Sequence, residues 1–394
     1  MKKSFTISIL CGIGLYSASI FISCNKPSQT ITQKRECYQV NPTLDTVPIK
    51  THQYSVDSIV SLKIPDDTIE MRIEKISVVN GCAYIHDNIK NKIYIFDSKG
   101  NLKKIIGERG HARGEFLGRP DEFFVDNNNK LHVFDKIGHK IIIYNEEGSV
   151  NDVLETNDFY PHSFGLTSNN RYLMYFTNGY KDQYNNNKTE TRYSLISLDE
   201  KCKEYKKLIP FEYEQHSIIS EHTFSQNGDR LAFLPEYADS VIVFKGDSIE
   251  KVVSFDFGGK ILCKENTEKL KQSEDFSFLE TYQGVLGITR FQETDSFVYL
   301  NYYFKDYRQY WLYNKRNGET FGGHQLLEGI NPYSYFCIDK NQIIAFINNK
   351  TVKKFREYYH REAFQKNLKK SPDYMKDLME GRIQAPALVY ITLK

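Results

Sequence analysis

The amino-acid sequence predicts an all-β protein, a six-bladed β-propeller with four-stranded blades and a small helical insertion in the last blade. Three observations carry this prediction. The 394-residue chain is rich in aromatic residues that favour strands, with 28 Tyr and 26 Phe against 11 Pro. A hairpin signal recurs six times along the chain. Three of the five intervals between these signals match the length of one propeller blade.

Each hairpin signal combines an apolar strand end, a turn rich in Asn, Asp and Gly, and an alternating strand. One marker residue from each signal gives the series Tyr84, Leu131, Tyr172, Leu231, Phe297 and Ile343. The intervals between them are 47, 41, 59, 66 and 46 residues. A four-stranded blade takes roughly 40–50 residues. The two longer intervals therefore contain insertions.

The chain begins with features of a lipoprotein signal peptide over residues 1–23. A short basic start precedes an apolar run from Phe5 to Ile22, and the run ends at Ser23-Cys24. The alternative is an uncleaved transmembrane anchor, because an apolar run of about 18 residues is at the lower limit for crossing a bilayer. Residues 24–53 are polar, contain three prolines and show no sustained period. We predict that they form a lipid-anchored tether to a propeller over residues 54–394.

The second blade shows the complete repeat, with predicted strands over residues 122–126, 130–135, 140–145 and 150–155. For the last blade we predict strands from residues 334–339, 342–347 and 388–393. The fourth strand would come from residues 57–64 near the start of the chain. Closure of the ring by both ends of the chain would remove the exposed sheet edges that promote aggregation.

Three insertions interrupt the blade pattern. Residues 177–192 are a polar hairpin tip in the third blade, and residues 262–280 are a helical link between the fourth and fifth blades. The third insertion, residues 352–382, has helical apolar spacing, and nine Lys or Arg against five Asp or Glu between residues 353 and 382. It is either a solvated helical cover or a docking surface for an acidic partner.

The glycine-rich link over residues 107–120 runs into the strands 123–126 and 131–135 and resembles an NHL-type propeller repeat. Residues 54–394 as a whole resemble the six-bladed β-propeller lipoproteins of Bacteroides-type bacteria. Phe21-Ile22-Ser23-Cys24 resembles the bacterial lipobox, which implies lipidation of Cys24. The resembled family provides no catalytic motif that can be transferred to this chain.

These resemblances imply a lipid anchor in the outer membrane of a Gram-negative cell. Surface-exported lipoproteins of the resembled group usually carry acidic residues directly after the lipidated cysteine. This chain has Asn25-Lys26-Pro27 there, which favours the periplasmic face over the cell surface.

Composition and motifs exclude several function classes. The 52 Lys and Arg nearly balance the 50 Asp and Glu, which is unlike the basic excess of a nucleic-acid-binding protein. The sequence has no C-x-x-C pair, no H-E-x-x-H, no G-x-S-x-G and no P-loop. We therefore expect no cofactor and no nucleic-acid partner, and we expect a monomer.

The candidate site is the ring of innermost-strand starts around the channel mouth. Four residues before the aligned strand ends lie Glu74, Asp121, His162, Ser220, Gly287 and Ser334. The predicted ligand-binding set at this mouth is Arg72, Glu74, Arg119, Asp121, His162, His222, Arg290, Tyr333 and Tyr335. These side chains predict a binding or scaffold module for a glycan, a peptide or an envelope protein, rather than an enzyme.

A second hypothesis is a metal-dependent lyase or hydrolase with its site in the channel. In this hypothesis, His162 and His222 bind the metal together with a nearby carboxylate such as Asp121.

Overall fold

The computed structural model describes residues 34–64, 71–120, 122–156, 159, 161–180, 192–211, 222–262, 282–305, 307–324, 326–327, 336–339, 342–349, 352–353, 373, 376–377 and 380–394. The predicted signal peptide, Cys24 and the first part of the predicted tether lie outside these residues. Most of each predicted insertion lies outside them as well. Residues 352, 353, 373, 376 and 377 of the third insertion are helical. No helix in this described part is long and apolar enough to span a bilayer.

The strands form six four-stranded antiparallel blades, with one extra strand on the fourth. The two N-terminal strands are β1 (Lys34–Gln39) and β2 (Tyr54–Ser61). Blade 1 consists of β3 (Ile73–Val79), β4 (Cys82–Asp87), β5 (Lys92–Phe96) and β6 (Leu102–Ile106). Blade 2 consists of β7 (Glu122–Val125), β8 (Leu131–Asp135), β9 (Lys140–Tyr144) and β10 (Val150–Glu155). Blade 3 consists of β11 (Ser163–Leu166), β12 (Tyr172–Tyr180), β13 (Tyr193–Leu198) and β14 (Tyr205–Pro210).

The remaining three blades follow the same order from the channel outward. Blade 4 consists of β15 (Phe224–Asn227), β16 (Arg230–Phe233), β17 (Ser240–Lys245) and β18 (Ser248–Asp256). Blade 5 consists of β19 (Val285–Glu293), β20 (Phe297–Phe304), β21 (Tyr307–Asn314) and β22 (Thr320–Gly323). Blade 6 consists of β23 (Phe336–Asp339), β24 (Gln342–Ile347), β25 (Ala387–Leu393) and β2. The predicted fold class is confirmed.

Blade 6 closes the ring with strands from both ends of the described chain. Strand β25 lies between β24 and β2 and pairs antiparallel with each of them. Ile59 of β2 lies opposite Val389 of β25. The predicted pairing of a strand near the start of the chain with residues 388–393 is therefore confirmed, although the strand covers residues 54–61 and not 57–64.

The core lies between neighbouring blades. Each blade is one sheet, and its two faces pack against the blades on either side. Phe124, Phe164 and Phe224 illustrate this, since they come from the innermost strands of three consecutive blades. The ring of Phe124 lies 5.6 Å from that of Phe164 and 6.5 Å from that of Phe224. All three side chains are buried. Edge-to-face aromatic contacts of this kind stabilise the contact between blades beyond the area that they bury.

The link between blades 1 and 2 is held by the buried carboxylate of Asp135. Its Oδ2 accepts the backbone N–H of Leu117 at 2.8 Å, and its Oδ1 accepts that of Gly138 at 3.0 Å. The glycine-rich link thus leads into strand β7 and not into a helix, which is the geometry of a blade connection.

The first described residues form a strap along the outside of blades 4 and 5, and they correct part of the predicted tether. We call residues 34–50 the N-terminal strap. Strand β1 pairs in parallel with β18 as a fifth strand of blade 4, and Val47 then bridges to Gly322 of blade 5. The tether prediction is therefore wrong for residues 34–53. Its first part, residues 24–33, lies outside the described residues.

The strap approaches blade 5 closely at Gly323, which has a φ of 105°. A Cβ at this position would lie 2.7 Å from Cα of Thr46. Val40 and Ile49 of the strap are buried. Because the strap buries apolar side chains and pairs with two blades, it is part of the folded body of the protein.

Candidate functional site

A cavity of about 280 Å³ occupies the central channel at the end where the innermost strands finish. Its lining comes from strands of blades 1, 2, 4, 5 and 6 and from the hairpins that follow them. The lining combines buried phenylalanines with charged side chains and neutral polar side chains. The neutral polar residues used below are Ser77, Asn127, Ser225, Gln226, Asn227 and Gln292. The cavity therefore offers both apolar surface and hydrogen-bonding groups.

Lys75 of β3 lines the cavity, and its ammonium group is held by blade 2. Its Nζ lies 2.6 Å from Oε1 of Glu122 and donates to the backbone oxygen of Phe123 at 2.7 Å. The same Nζ lies 4.2 Å from the centre of the Phe124 ring, a cation–π distance. The charge of Lys75 is thus compensated within the wall.

Glu293, at the end of β19, lines the cavity at the opposite side and accepts from two lysines. Its Oε1 lies 2.8 Å from Nζ of Lys251 and 2.5 Å from Nζ of Lys315. Lys251 also contacts Oε2 of Glu36 in the N-terminal strap at 2.9 Å. We call Glu36, Lys251, Glu293 and Lys315 the ion chain. It connects the strap to the wall of the cavity.

Two opposing effects set the ionisation of Glu36. Burial alone raises the pKa of its carboxyl group, but hydrogen bonds from Lys34 and Lys251 outweigh burial and lower this pKa to about 2. Glu36 is therefore a carboxylate at any physiological pH, and it remains a partner for Lys251.

His222 and Arg290 lie side by side in the lining of the cavity, and both are buried. Burial, reinforced by the positive charges of Arg290, Lys75 and Arg308, lowers the pKa of His222 well below its usual value. The imidazole is thus neutral and has one donor and one acceptor nitrogen. Of the predicted ligand-binding set, these two residues are the ones that the structure brings together in the cavity.

The other described members of the predicted set lie outside the lining of this cavity. Arg72 is exposed at the start of β3, and Arg119 is exposed and donates to Oδ1 of Asn91 at 3.4 Å. Glu74 lies 3.7 Å from Nδ1 of His86. Burial lowers the pKa of His86 to about 4, so this contact joins a carboxylate to a neutral ring.

His162 belongs to blade 3, from which none of the described lining residues comes. It is half-buried, and its ring packs edge-on against Tyr175 at 6.2 Å. Burial, with a smaller effect from Lys136, lowers its pKa. Asp121, Tyr333 and Tyr335 lie outside the described residues. The role of the full set at the channel mouth stays a prediction.

The cavity lies at the end of the innermost strands, whereas the sequence predicts the site at their starts. Asn127, Asn227 and Gln292 lie in the hairpin signals, where polar residues also favour turns. The fourth hairpin signal predicts that the innermost strand ends at Phe224. In the structure this strand, β15, begins at Phe224. The useful signal would have been the row of Asn and Gln at equivalent hairpin positions in different blades.

The residues proposed for a metal do not form a site within the described part of the chain. No group of three or more His, Cys, Asp or Glu that could hold a metal ion occurs among those residues. His222 also lies beside the cation Arg290, which opposes the binding of a second cation. Asp121, the suggested carboxylate ligand, lies outside the described residues.

Similarity to solved structures supports the fold. A Bacteroides fragilis protein whose name describes it as exported is 16% identical, with a TM-score of 0.71 over 92% of this chain and 100% of that chain. At this identity the similarity shows the fold alone. A member of the DUF4221 family from Bacteroides vulgatus is 11% identical, with a TM-score of 0.45 over 89% of this chain and 99% of that one. Virginiamycin B lyase from Staphylococcus aureus is also 11% identical, with a TM-score of 0.39 over 84% and 83% of the two chains.

The last two TM-scores are too low to support an argument about function, so the similarity to a lyase gives no support to the lyase hypothesis. No curated protein matches this chain. A family model described as a domain of unknown function, DUF4934, matches residues 56–379, which is most of the chain. The protein therefore belongs to the DUF4934 family.

Proposed function

We propose that this protein is a lipid-anchored extracytoplasmic propeller that binds a glycan, a peptide or a segment of an envelope protein in its channel cavity. The observation that carries the proposal is the cavity itself. It is preformed, it joins five blades, and its lining offers neutral hydrogen-bonding side chains beside apolar surface.

The chemistry of the described cavity residues favours binding over catalysis. Cys337 lines the cavity, but burial raises the pKa of its thiol to about 12, so almost no thiolate is available as a nucleophile. Glu293 is bound by two lysines, and His222 is a neutral ring beside Arg290. A general acid or base works best with a pKa near the working pH, which does not describe Cys337 or His222.

The proposed location is the outer membrane, with the protein on its periplasmic face. It rests on the signal-like residues 1–23, on the resemblance of Phe21–Cys24 to a lipobox, and on a structural neighbour described as exported. We expect Cys24→Ser to move the protein from the membrane fraction to the soluble fraction, because the acyl chains supply the anchor. Labelling with a radioactive fatty acid checks the result. Retention of the variant in the membrane fraction would contradict lipid anchoring.

A bulky substitution at the rim tests the binding site. Asn127 and Asn128 are neighbouring exposed residues of one turn, but only Asn127 lines the cavity. We expect Asn127→Trp to weaken ligand binding at least ten-fold because the indole fills the opening. Asn128→Trp should bind like the unmodified protein. The measurement is ligand-observed NMR with a panel of oligosaccharides and short peptides, and thermal unfolding verifies that both variants are folded.

Equal binding by the two tryptophan variants and the unmodified protein would show that the ligand binds elsewhere. Loss of binding in both variants would show that the turn acts through its conformation and not through the cavity.

A further inference from the structure

The charged side chains of the cavity wall are engaged within the protein. Lys75 is bound to Glu122, and Glu293 is bound to Lys251 and Lys315. Arg290 and Asp339 also have interaction partners within the protein. A charged ligand would have to displace one of these partners or enter a partly buried site without a counter-ion. Both processes carry a large desolvation cost.

The polar groups that remain available at the cavity are neutral. Within the described part of the protein, the side chains of Ser77, Asn127, Ser225 and Asn227 have no hydrogen-bond partner. Gln292 accepts the backbone N–H of Ile338 at 3.2 Å through its carbonyl oxygen, which leaves its two N–H donors. An amide or a hydroxyl group can both donate and accept. The available groups therefore match a ligand whose own groups both donate and accept.

These polar groups also surround the cavity and do not form a single row along one strand. Ser77 belongs to blade 1, Asn127 follows the first strand of blade 2, Ser225 and Asn227 belong to blade 4, and Gln292 belongs to blade 5. An extended peptide is normally recognised along one strand edge or groove. A ring of donors and acceptors around a cavity of about 280 Å³ suits a compact ligand instead.

We infer that the cavity binds an uncharged sugar residue, such as the terminal residue of a neutral glycan. This inference rests on the proposed binding function and narrows its ligand to one chemical class. Sugar hydroxyls are dense and directed around a ring, and each of them donates and accepts. The hydroxyl and amide groups from four blades satisfy them without a charge, and apolar side chains of the lining such as Phe124 and Phe291 offer contacts to the C–H faces of the ring.

The test is saturation-transfer NMR with glucose, galactose, mannose and N-acetylglucosamine as neutral probes. Glucuronate, galacturonate and glucosamine serve as charged counterparts of similar shape, and triglycine amide acetylated at its N-terminus serves as a neutral peptide probe. We expect at least one neutral sugar to bind the unmodified protein and Asn128→Trp. Its signal should fall at least ten-fold in Asn127→Trp. The charged counterpart of that sugar should bind at least ten-fold more weakly.

Gln292→Glu provides a second variant that preserves the fold. The new carboxylate retains an oxygen that can accept from Ile338, but it replaces the two N–H donors and adds a negative charge. We expect the affinity for the neutral sugar to fall at least ten-fold, with an unchanged thermal midpoint. Unchanged affinity in this variant would overturn the inference.

The possible failures are distinguishable. If only charged sugars or only the peptide bind, and Asn127→Trp abolishes that binding, the inference is wrong while the proposed binding cavity stands. If none of the neutral sugars binds, the inference is also wrong. If neutral sugars bind Asn127→Trp as well as they bind the unmodified protein, both the inference and the proposed cavity site are wrong.

Discussion

A chain that ends at Gln384 is expected to lose its cooperative unfolding transition and to aggregate. The deletion removes β25, which lies between β2 and β24 in blade 6. Ala387, Leu388, Val389 and Ile391 of this strand are almost completely buried. Burial of a large aliphatic side chain contributes about 1.5–3 kcal/mol, and a whole domain is stable by only about 5–15 kcal/mol. The deletion would also expose the edges of two strands.

Circular dichroism during heating and size-exclusion chromatography measure this result. Two point variants of the same strand provide matched controls. Ile391→Ala should destabilise the protein by about 2–5 kcal/mol but leave it folded. Thr392→Ala loses a 2.5 Å hydrogen bond to Asp57 at the surface and should cost no more than about 1.5 kcal/mol. A truncated protein that is monomeric and unfolds at the original midpoint would refute terminal closure as a requirement for stability.

Lys251→Met is expected to lower the free energy of unfolding by about 3–5 kcal/mol, the range for removing one partner of a buried ion pair. The Lys251 residue is only 8% exposed and lies between the carboxylates of Glu36 and Glu293. Its removal brings two negative charges together without the cation that separates them. The neighbouring Lys34→Met is the control, because its side chain is 72% exposed. That variant should lose no more than about 1 kcal/mol.

The same ion chain gives stability a defined pH dependence. The pKa of Glu36 is about 2 in the folded protein and 4.5 for an unperturbed carboxyl group, so its ionised form is favoured by folding. This stabilisation is complete above about pH 4.5 and disappears as the pH falls towards 2. In Lys251→Met this part of the pH dependence should be smaller, because one of the two hydrogen-bonding lysines is lost. Urea unfolding over this pH range measures the effect. Equal stability losses for Lys251→Met and Lys34→Met would contradict the role of the ion chain.

Local patterns were sufficient to predict the blades. In blade 2 the predicted strands differ from the observed ones by no more than one residue at each end, because short apolar runs are separated by turns rich in Asn, Asp and Gly. The closing strand could also be predicted, because an otherwise open sheet edge must be covered, although the observed strand begins and ends three residues before the predicted range 57–64. These features depend on local periodicity and on a general requirement for closed edges.

The strap and the cavity could not be predicted in the same way. Strand β1 is mostly polar, and Tyr38 is its one large aromatic contact, packed against Phe255 and Trp311. Its parallel pairing with β18 joins residues more than two hundred positions apart, which local periodicity does not reveal. At the cavity, Asn127 and Asn227 have residue types that serve turns and ligand binding equally well. Only the three-dimensional arrangement distinguishes those roles.

The direction of β1 determines at which end of the propeller the described chain begins. β15 runs towards the cavity end of the channel. Each of the three antiparallel pairings from β15 to β18 reverses the direction, so β18 runs away from that end and starts there. β1 is parallel to β18, so Lys34 also lies on the cavity side. The strap therefore starts on the side where the cavity opens and leads away from it along the edge of blade 4. Lys34 and Gln39, at the two ends of β1, are both exposed. A label attached to Lys34 would thus lie on the cavity side of the propeller, whereas a label attached to Gln39 would lie on the opposite side.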